Sequence, residues 1–230
     1  MTLETLSQLK LSNAQIAWRA AQDILDGSYV NLGIGLPELI AQFQPEGRKI
    51  TYHTENGVLG FGEAPDSGDE DWDLINAGKK PITLNPGASF FHHADSFAMV
   101  RGGHLDLAVL GAYQIAENGD LANWRVGQNG VPAVGGAMDL VHGAKRVAVM
   151  TDHTTKDGKP KLLKACTFPL TGVNCVDRIY TSLAVIDVQG EKFILREKHK
   201  DLSISDLQSL TEAELHVVGT LENFDVPEDI

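Results

Sequence analysis

Basic residues are scarce in this chain: 19 Lys and Arg stand against 31 Asp and Glu, a formal charge of −12 over 230 residues. Nucleic acid and anionic membranes require a cationic face, and that deficit argues against both as partners. Cysteine is rarer still. Cys166 and Cys175 are the only two, too few for a disulfide scaffold, and they read as reduced core thiols. No apolar run approaches the ~20 residues of a membrane span. Met1-Thr2-Leu3-Glu4 does not open a signal peptide, so a cytoplasmic protein is expected. There is no repeat, no low-complexity tract and no Gly-Lys-Ser/Thr phosphate loop. Metal-ligand spacing is missing too. His92 and His93 are adjacent and would point to opposite faces of an extended chain, no spaced His/Glu or Cys pair exists, and no metal site is expected.

What remains is an ordinary globular composition, 43% apolar and 22% charged, long enough for one substantial core. No linker is visible. A single domain over residues 1–220 is expected, followed by an acidic, disordered tail at 221–230. The other acidic clump, Glu63-Ala64-Pro65-Asp66-Ser67-Gly68-Asp69-Glu70-Asp71, reads as a solvated loop.

Ser12-Asn13-Ala14-Gln15 is a capping box. Ile16, Ala17, Ala20, Ile24 and Leu25 follow at helical spacing, and Gly27 stops the helix. Residues 29–34 form a buried strand that Gly33-Ile34-Gly35 turns into a short helix with Pro37 at its first position. Glu38 occupies the third glycine position of a dinucleotide fingerprint and Leu36-Pro37 intervenes, so a Rossmann site is rejected. Further strands are predicted at 49–54, 82–84, 104–110, 146–150 and 179–188. Gln189-Gly190 closes a hairpin onto 192–195. Short helices are expected at 95–100 and 203–210. Strands alternating with helices predict an α/β fold, a mostly parallel open sheet with helices on both faces.

Tyr52-His53-Thr54-Glu55-Asn56-Gly57-Val58-Leu59-Gly60 organises the chemistry. A β-type run ends on a carboxylate, and Asn56-Gly57 turns the chain because both residues tolerate positive φ. Glu55 therefore sits on a corner at a strand end, where open α/β sheets place their chemistry. Residues alone leave Glu55 open as general base, metal ligand, nucleophile or a plain surface hairpin tip. His53 lies two residues away, on the same face if the strand persists, and reads as a packed or hydrogen-bonding histidine.

Glu55-Asn56-Gly57-Val58-Leu59-Gly60 resembles the Ser-Glu-Asn-Gly signature of the β chain of family I CoA-transferases, in which the glutamate is the nucleophile. Matching stretches occur in the same order: Asn31-Leu32-Gly33-Ile34-Gly35-Leu36-Pro37, Asp73-Leu74-Ile75-Asn76-Ala77-Gly78-Lys79 and Ser96-Phe97-Ala98-Met99-Val100-Arg101-Gly102-Gly103-His104. Gly119-Asp120-Leu121-Ala122-Asn123-Trp124, Gly135-Gly136-Ala137-Met138-Asp139-Leu140 and Pro169-Leu170-Thr171-Gly172 complete them. The likeness covers nearly the whole chain. Thr54 stands where the family usually has Ser, and Tyr52 where it has Leu or Phe; Thr keeps the hydroxyl.

The resemblance implies the CoA-transferase-like (NagB/RpiA) fold and double displacement through an acyl-glutamyl anhydride and a glutamyl-CoA thioester on Glu55. It implies that a glycine amide of the Gly135-Gly136 loop serves the oxyanion, with Gly136 ranked above Gly135. Asn31, Asn56, Arg101 and Arg125 are candidates for orienting substrate, and Lys79, Lys80, Arg101 and Arg125 for offsetting the CoA phosphates. CoA is then a substrate, and no cofactor is expected. The chain matches only the family's β half, which implies an α-subunit partner, in an α2β2 heterotetramer.

Phe90-Phe91-His92-His93-Ala94-Asp95-Ser96-Phe97, Ala116-Glu117-Asn118-Gly119-Asp120-Leu121-Ala122-Asn123-Trp124 and Pro132-Ala133-Val134-Gly135-Gly136-Ala137-Met138-Asp139-Leu140 resemble most those members that move CoA from succinyl-CoA to 3-oxoadipate. Acetoacetate is the alternative acceptor. A reading of another class is a non-catalytic ligand-sensing domain on the same fold. An intact Glu55 with its turn, and no appended DNA-binding segment, count against it.

Overall fold

The computed structural model describes residues 8–127 and 134–230; Met1-Thr2-Leu3-Glu4 and Pro132-Ala133 lie outside them. The first helix, α1 (Asn13–Gln22), begins as expected: Gln15 N–H donates to Ser12 Oγ at 3.1 Å, and Ser12 N–H donates to the Gln15 side chain at 2.9 Å. It ends at the Asp23 cap, short of Gly27, so Leu25 is exposed rather than core. β1 (Tyr29–Leu32) leads through Gly33-Ile34-Gly35 into a 3-10 helix, Leu36–Phe43, with Pro37 near its start. β2 (Thr51–Thr54), β3 (Val58–Phe61) and β4 (Leu84–Phe90) form an antiparallel run, followed by α2 (His93–Arg101) and β5 (Leu107–Gly111).

β6 (Gln114–Ala116) and β7 (Leu121–Ala122) precede α3 (Ala137–Gly143), β8 (Val147–Thr151) and β9 (Leu162–Leu163). Then come β10 (Arg178–Thr181), β11 (Ala184–Val188), β12 (Phe193–Lys198), α4 (Ile204–Ser209), β13 (Leu215–His216) and β14 (Glu222–Asn223). The main sheet runs β13-β12-β11-β10-β8-β5-β1-β2-β3-β4, with β14 also on β12. β6, β7 and β9 make a separate small sheet that the sequence did not announce, its strands being only two or three residues long.

The five strands β2-β1-β5-β8-β10 are all parallel, whereas the flanks β2-β3-β4 and β10-β11-β12 are antiparallel. Alternation along the parallel strands divides the interior into two cores. Ala108, Leu110, Val147, Val149 and Ile179 join Val100 and Leu140 on one face. Val109, Ala148, Met150 and Tyr180 join Ile16, Ala20 and Ile40 on the other. Both faces are covered, as a parallel sheet requires.

One predicted strand is two. Residues 179–188 fold into the antiparallel pair β10 and β11, bent at Ser182-Leu183. The Thr181 hydroxyl oxygen accepts from the Ala184 N–H at 2.9 Å and the Leu183 N–H at 3.2 Å, and its proton goes to the Ala184 carbonyl at 3.0 Å. A side-chain turn of this kind carries no Gly, Pro or Asn to signal it. Within the segment read as a tail, Glu222–Asn223 pairs in parallel with β12. Among the described residues, no helix is long and apolar enough to cross a membrane.

Candidate active site

In chain order, the parallel core β2-β1-β5-β8-β10 is a doubly wound 2-1-3-4-5 arrangement, which reverses direction between β1 and β5. Loops leaving the carboxyl ends of β1 and β5 must diverge there, and a cleft opens between them. It measures about 460 Å³ and is bordered by Gly33, Gly111, Thr151, Glu55 and the Gly135-Gly136 pair. A second cleft, about 580 Å³, is bordered by Asn56, Ala77, His93, Phe97 and Arg101. Glu55, Gly135 and Gly136 border both.

Glu55 stands at the hairpin bend between β2 and β3, half-buried. Gly57 takes φ +120, and a Cβ there would lie 2.2 Å from the Phe91 carbonyl oxygen, so only glycine fits. The bend is tied down on either side. Phe91 N–H donates to the Gly57 carbonyl at 3.0 Å. Thr54 Oγ1 accepts from the Ala77 N–H at 2.9 Å and donates to Asn56 Oδ1 at 2.8 Å, while Asn56 Nδ2 donates to the Ile75 carbonyl at 2.7 Å. The Thr54 hydroxyl therefore holds the 75–77 loop against the bend.

Asn31 and His53, register partners on β1 and β2, are fully buried behind the carboxylate. Asn31 Nδ2 lies 3.4 Å from Glu55 Oε2 and 3.0 Å from His53 Nδ1. His53 Nε2 lies 2.9 Å from Ser96 Oγ on α2. Burial in this apolar setting pushes His53 down to about 4, leaving the ring neutral near pH 7.

Gly136 is the N-cap of α3, and a Cβ there would meet the Phe97 ring at 2.5 Å. The amide N–H groups of Gly135 and Gly136 donate to no protein acceptor among the described residues. These two amides share the border of both clefts with Glu55 and are candidates to donate to a developing oxyanion.

The other expected site residues fall in different places. Asn31 lies behind Glu55 and does not line either cleft, whereas Asn56 lines the second. Arg101 borders the second cleft, its Nε 2.7 Å from Asp139 Oδ1, a pairing that raises its pKa. Arg125 lines a separate cleft with Thr167 and Leu170, away from Glu55. Lys80 pairs with Glu38 at 2.9 Å, and neither it nor Lys79 borders the Glu55 clefts. His92 accepts the Ala94 N–H at 3.1 Å and so caps α2, while His93 stands edge-on to Phe97. Among the described residues, no group of three His, Cys, Asp or Glu is placed to hold a metal ion. Ser96, Phe91 and Phe97 were not singled out from the sequence; each acts through a partner distant in the chain, and nothing local marks them.

Residues 13–209 match the family model described as Coenzyme A transferase. A curated relative from Acinetobacter baylyi, the B subunit of 3-oxoadipate CoA-transferase, is 57% identical over 91% of this chain and 97% of its own length. The B subunit of succinyl-CoA:3-ketoacid coenzyme A transferase from Helicobacter pylori is 50% identical over 86% of this chain and 96% of that protein. Among solved structures, an apo acyl-CoA transferase of Escherichia coli O157:H7 superposes with a TM-score of 0.74 at 17% identity over 94% of this chain. That likeness speaks for the fold, and this chain spans 43% of the other's length.

Proposed function

This chain belongs to the coenzyme A transferase family, and from that premise we propose that it is one subunit of a transferase whose covalent nucleophile is Glu55. A Glu55 oxygen adds to the thioester carbonyl of an acyl-CoA, the C–S bond breaks, and an acyl-glutamyl anhydride forms as the CoA thiolate departs. The thiolate then adds to the glutamyl carbonyl. The anhydride C–O bond breaks, the first acid leaves as a carboxylate, and Glu55 is left as a CoA thioester. A second carboxylate reverses both steps, so no proton is gained or lost over the cycle. Ping-pong kinetics follow.

The observation that carries this reading is that Glu55 and the Gly135-Gly136 pair together border both clefts. Each tetrahedral adduct forms within reach of uncovered amides, and removal of one such donor typically costs ~10²–10³ in rate. The amide of Gly136 is assigned to the oxyanion, with Gly135 as the alternative. Carboxylates are poor nucleophiles in water and anhydrides hydrolyse, so the site needs to be dry. Glu55 is only half-buried in this chain, which supports a partner, the α subunit, completing the wall. Relatives matched over nearly their whole length are named as the B subunits of their enzymes, which supports the same reading.

For the acids, the reading is succinyl-CoA as donor and 3-oxoadipate as acceptor, following the name of the more similar relative. Acetoacetate, a 3-keto acid, is the alternative that the second relative's name suggests. Arg101, on the border of the second cleft, is better placed than Arg125 to meet a distal carboxylate. Relative kcat/KM for the two acids decides between them.

The test of the mechanism uses the complex of this chain with its α partner, incubated with acyl-CoA and then reduced with borohydride. A reduced glutamyl residue at position 55 is expected in the wild type and absent in Glu55→Gln, which also loses transfer while keeping its fold. Transfer that survives Glu55→Gln would sink the proposal.

A further inference from the structure

Behind Glu55 lies a buried polar chain that the reaction scheme leaves unused. Asn31 Nδ2 faces three acceptors: His53 Nδ1 at 3.0 Å, the His53 carbonyl at 3.3 Å and Glu55 Oε2 at 3.4 Å. Asn31 Oδ1 is buried with no partner among the described residues. An amide nitrogen only donates, so His53 Nδ1 carries the lone pair and the ring proton sits on Nε2. That proton is donated to Ser96 Oγ, 2.9 Å away on a fully buried side chain. Phe91 stacks on the imidazole at 6.0 Å between centroids and fixes its plane. Turned the other way, Asn31 would set its oxygen against the His53 carbonyl and the Glu55 carboxylate, two groups that only accept, whichever tautomer the ring takes.

We infer that His53 is a positioning residue: its Nδ1 lone pair locks Asn31 with an Nδ2 N–H aimed at Glu55 Oε2. This rests on the covalent role of Glu55 given above. With Oε2 held, Oε1 is the oxygen left to attack the acyl group. When the thiolate later adds to the glutamyl carbonyl, the charge collects on Oε2, where the Asn31 N–H already points. The 3.4 Å separation shortens as that charge develops. No proton moves through His53, whose neutral state is maintained by burial.

The test compares complexes with the α partner. His53→Gln keeps an acceptor for Asn31 and a donor for Ser96, and is expected to retain kcat within about 3-fold. His53→Leu fills similar space with no acceptor. Its kcat should fall about 10²-fold, the loss typical of a misplaced reacting group, with both KM values within about 3-fold. If His53 acts through Asn31, the double variant His53→Leu/Asn31→Ala is no slower than Asn31→Ala alone. Equal rates for the Gln and Leu variants, or losses that multiply in the double variant, would overturn the inference. Should His53→Leu not assemble, His53→Ala is assayed with added imidazole: recovery of kcat supports the assignment, and no recovery alongside a slow His53→Gln removes it. Failure of the covalent reading would show separately, as a wild-type complex with no borohydride-reduced glutamyl at position 55.

Discussion

Two glycines of the site predict opposite kinds of failure. At Gly57 a methyl group would press on the Phe91 carbonyl oxygen, at φ +120. That oxygen is backbone and cannot swing away. Gly57→Ala is therefore expected to lower stability by about 3 kcal/mol or more, read as a drop in denaturation midpoint, with loss of transfer. At Gly136 the obstacle is the far end of the Phe97 side chain, which can swing aside as a whole. Gly136→Ala should fold with a denaturation midpoint near wild type and still lose ~10²-fold in kcat, because the amide is displaced from the proposed oxyanion position. The sequence announced both glycines as special, one as a turn and one as a bare loop. It could not announce Phe91 or Phe97 as their partners, because each contact joins segments far apart in the chain. The same limit hid Ser96, a serine on a short helix with nothing around it to mark a buried acceptor for a histidine.

Among the elements, the hairpin at Ser182-Leu183 shows what pattern reading misses. Residues 179–188 are rich in β-branched and apolar side chains as a strand should be, and no Gly, Pro or Asn interrupts them. Thr181 supplies the missing turn chemistry with three short hydrogen bonds to the chain beyond it. Thr181→Val keeps the shape and strands two buried N–H groups, so a loss of roughly 2–4 kcal/mol in unfolding free energy is expected, measurable by urea titration. The Gln189-Gly190 hairpin, by contrast, was legible, since Gly190 and Glu191 both take positive φ in the tight turn. Elements with local signals were found: the capping box of α1 and the glycine turn after β1. Where the signal was tertiary, as for the 3-10 geometry of Leu36–Phe43 or the small second sheet, periodicity had no purchase. Charge adds a tertiary fastening of its own. Arg19 on α1 bonds both Asp23 and Glu197, and Arg178 bridges Asp23 and Asp187. Burial alone would raise the pKa of Asp23 and Asp187; their hydrogen-bonded arginines, with Tyr180 on Asp23, outweigh it and hold both carboxyls below the usual range.

For the molecule as a whole, the buried histidines set a pH limit. Burial holds His53 at about 4 and His153 at about 3, with nearby Lys10 adding to the latter. Unfolded, each would titrate near 6.5. Between those values the unfolded chain binds protons that the native chain does not, so stability falls as the pH drops. The contribution is complete above about pH 6.5 and drains away toward pH 4, on the order of a few kcal/mol. Unfolding midpoints measured from pH 7 to 4 should decline through that window, and His153→Gln should flatten the decline. The carboxylates held low by Arg partners add a further loss below it. Assembly belongs to the same scale. If Glu55 acts as proposed, a half-buried carboxylate must survive as an anhydride, and this chain alone is expected to turn over at background rate and to gain activity on mixing with an α subunit. Full turnover by the isolated chain, measured as thioester exchange, would contradict that.

The placement of Glu55 between two hollows has one more consequence. In the proposed cycle the coenzyme stays tethered through its sulfur while one acid is exchanged for another. A carboxylate reached from two sides lets the visiting acids use one doorway and the tethered coenzyme keep the other, so neither must vacate for its counterpart. The first acid can then leave and the second enter while the coenzyme is held on Glu55, and the coenzyme departs only as the new thioester.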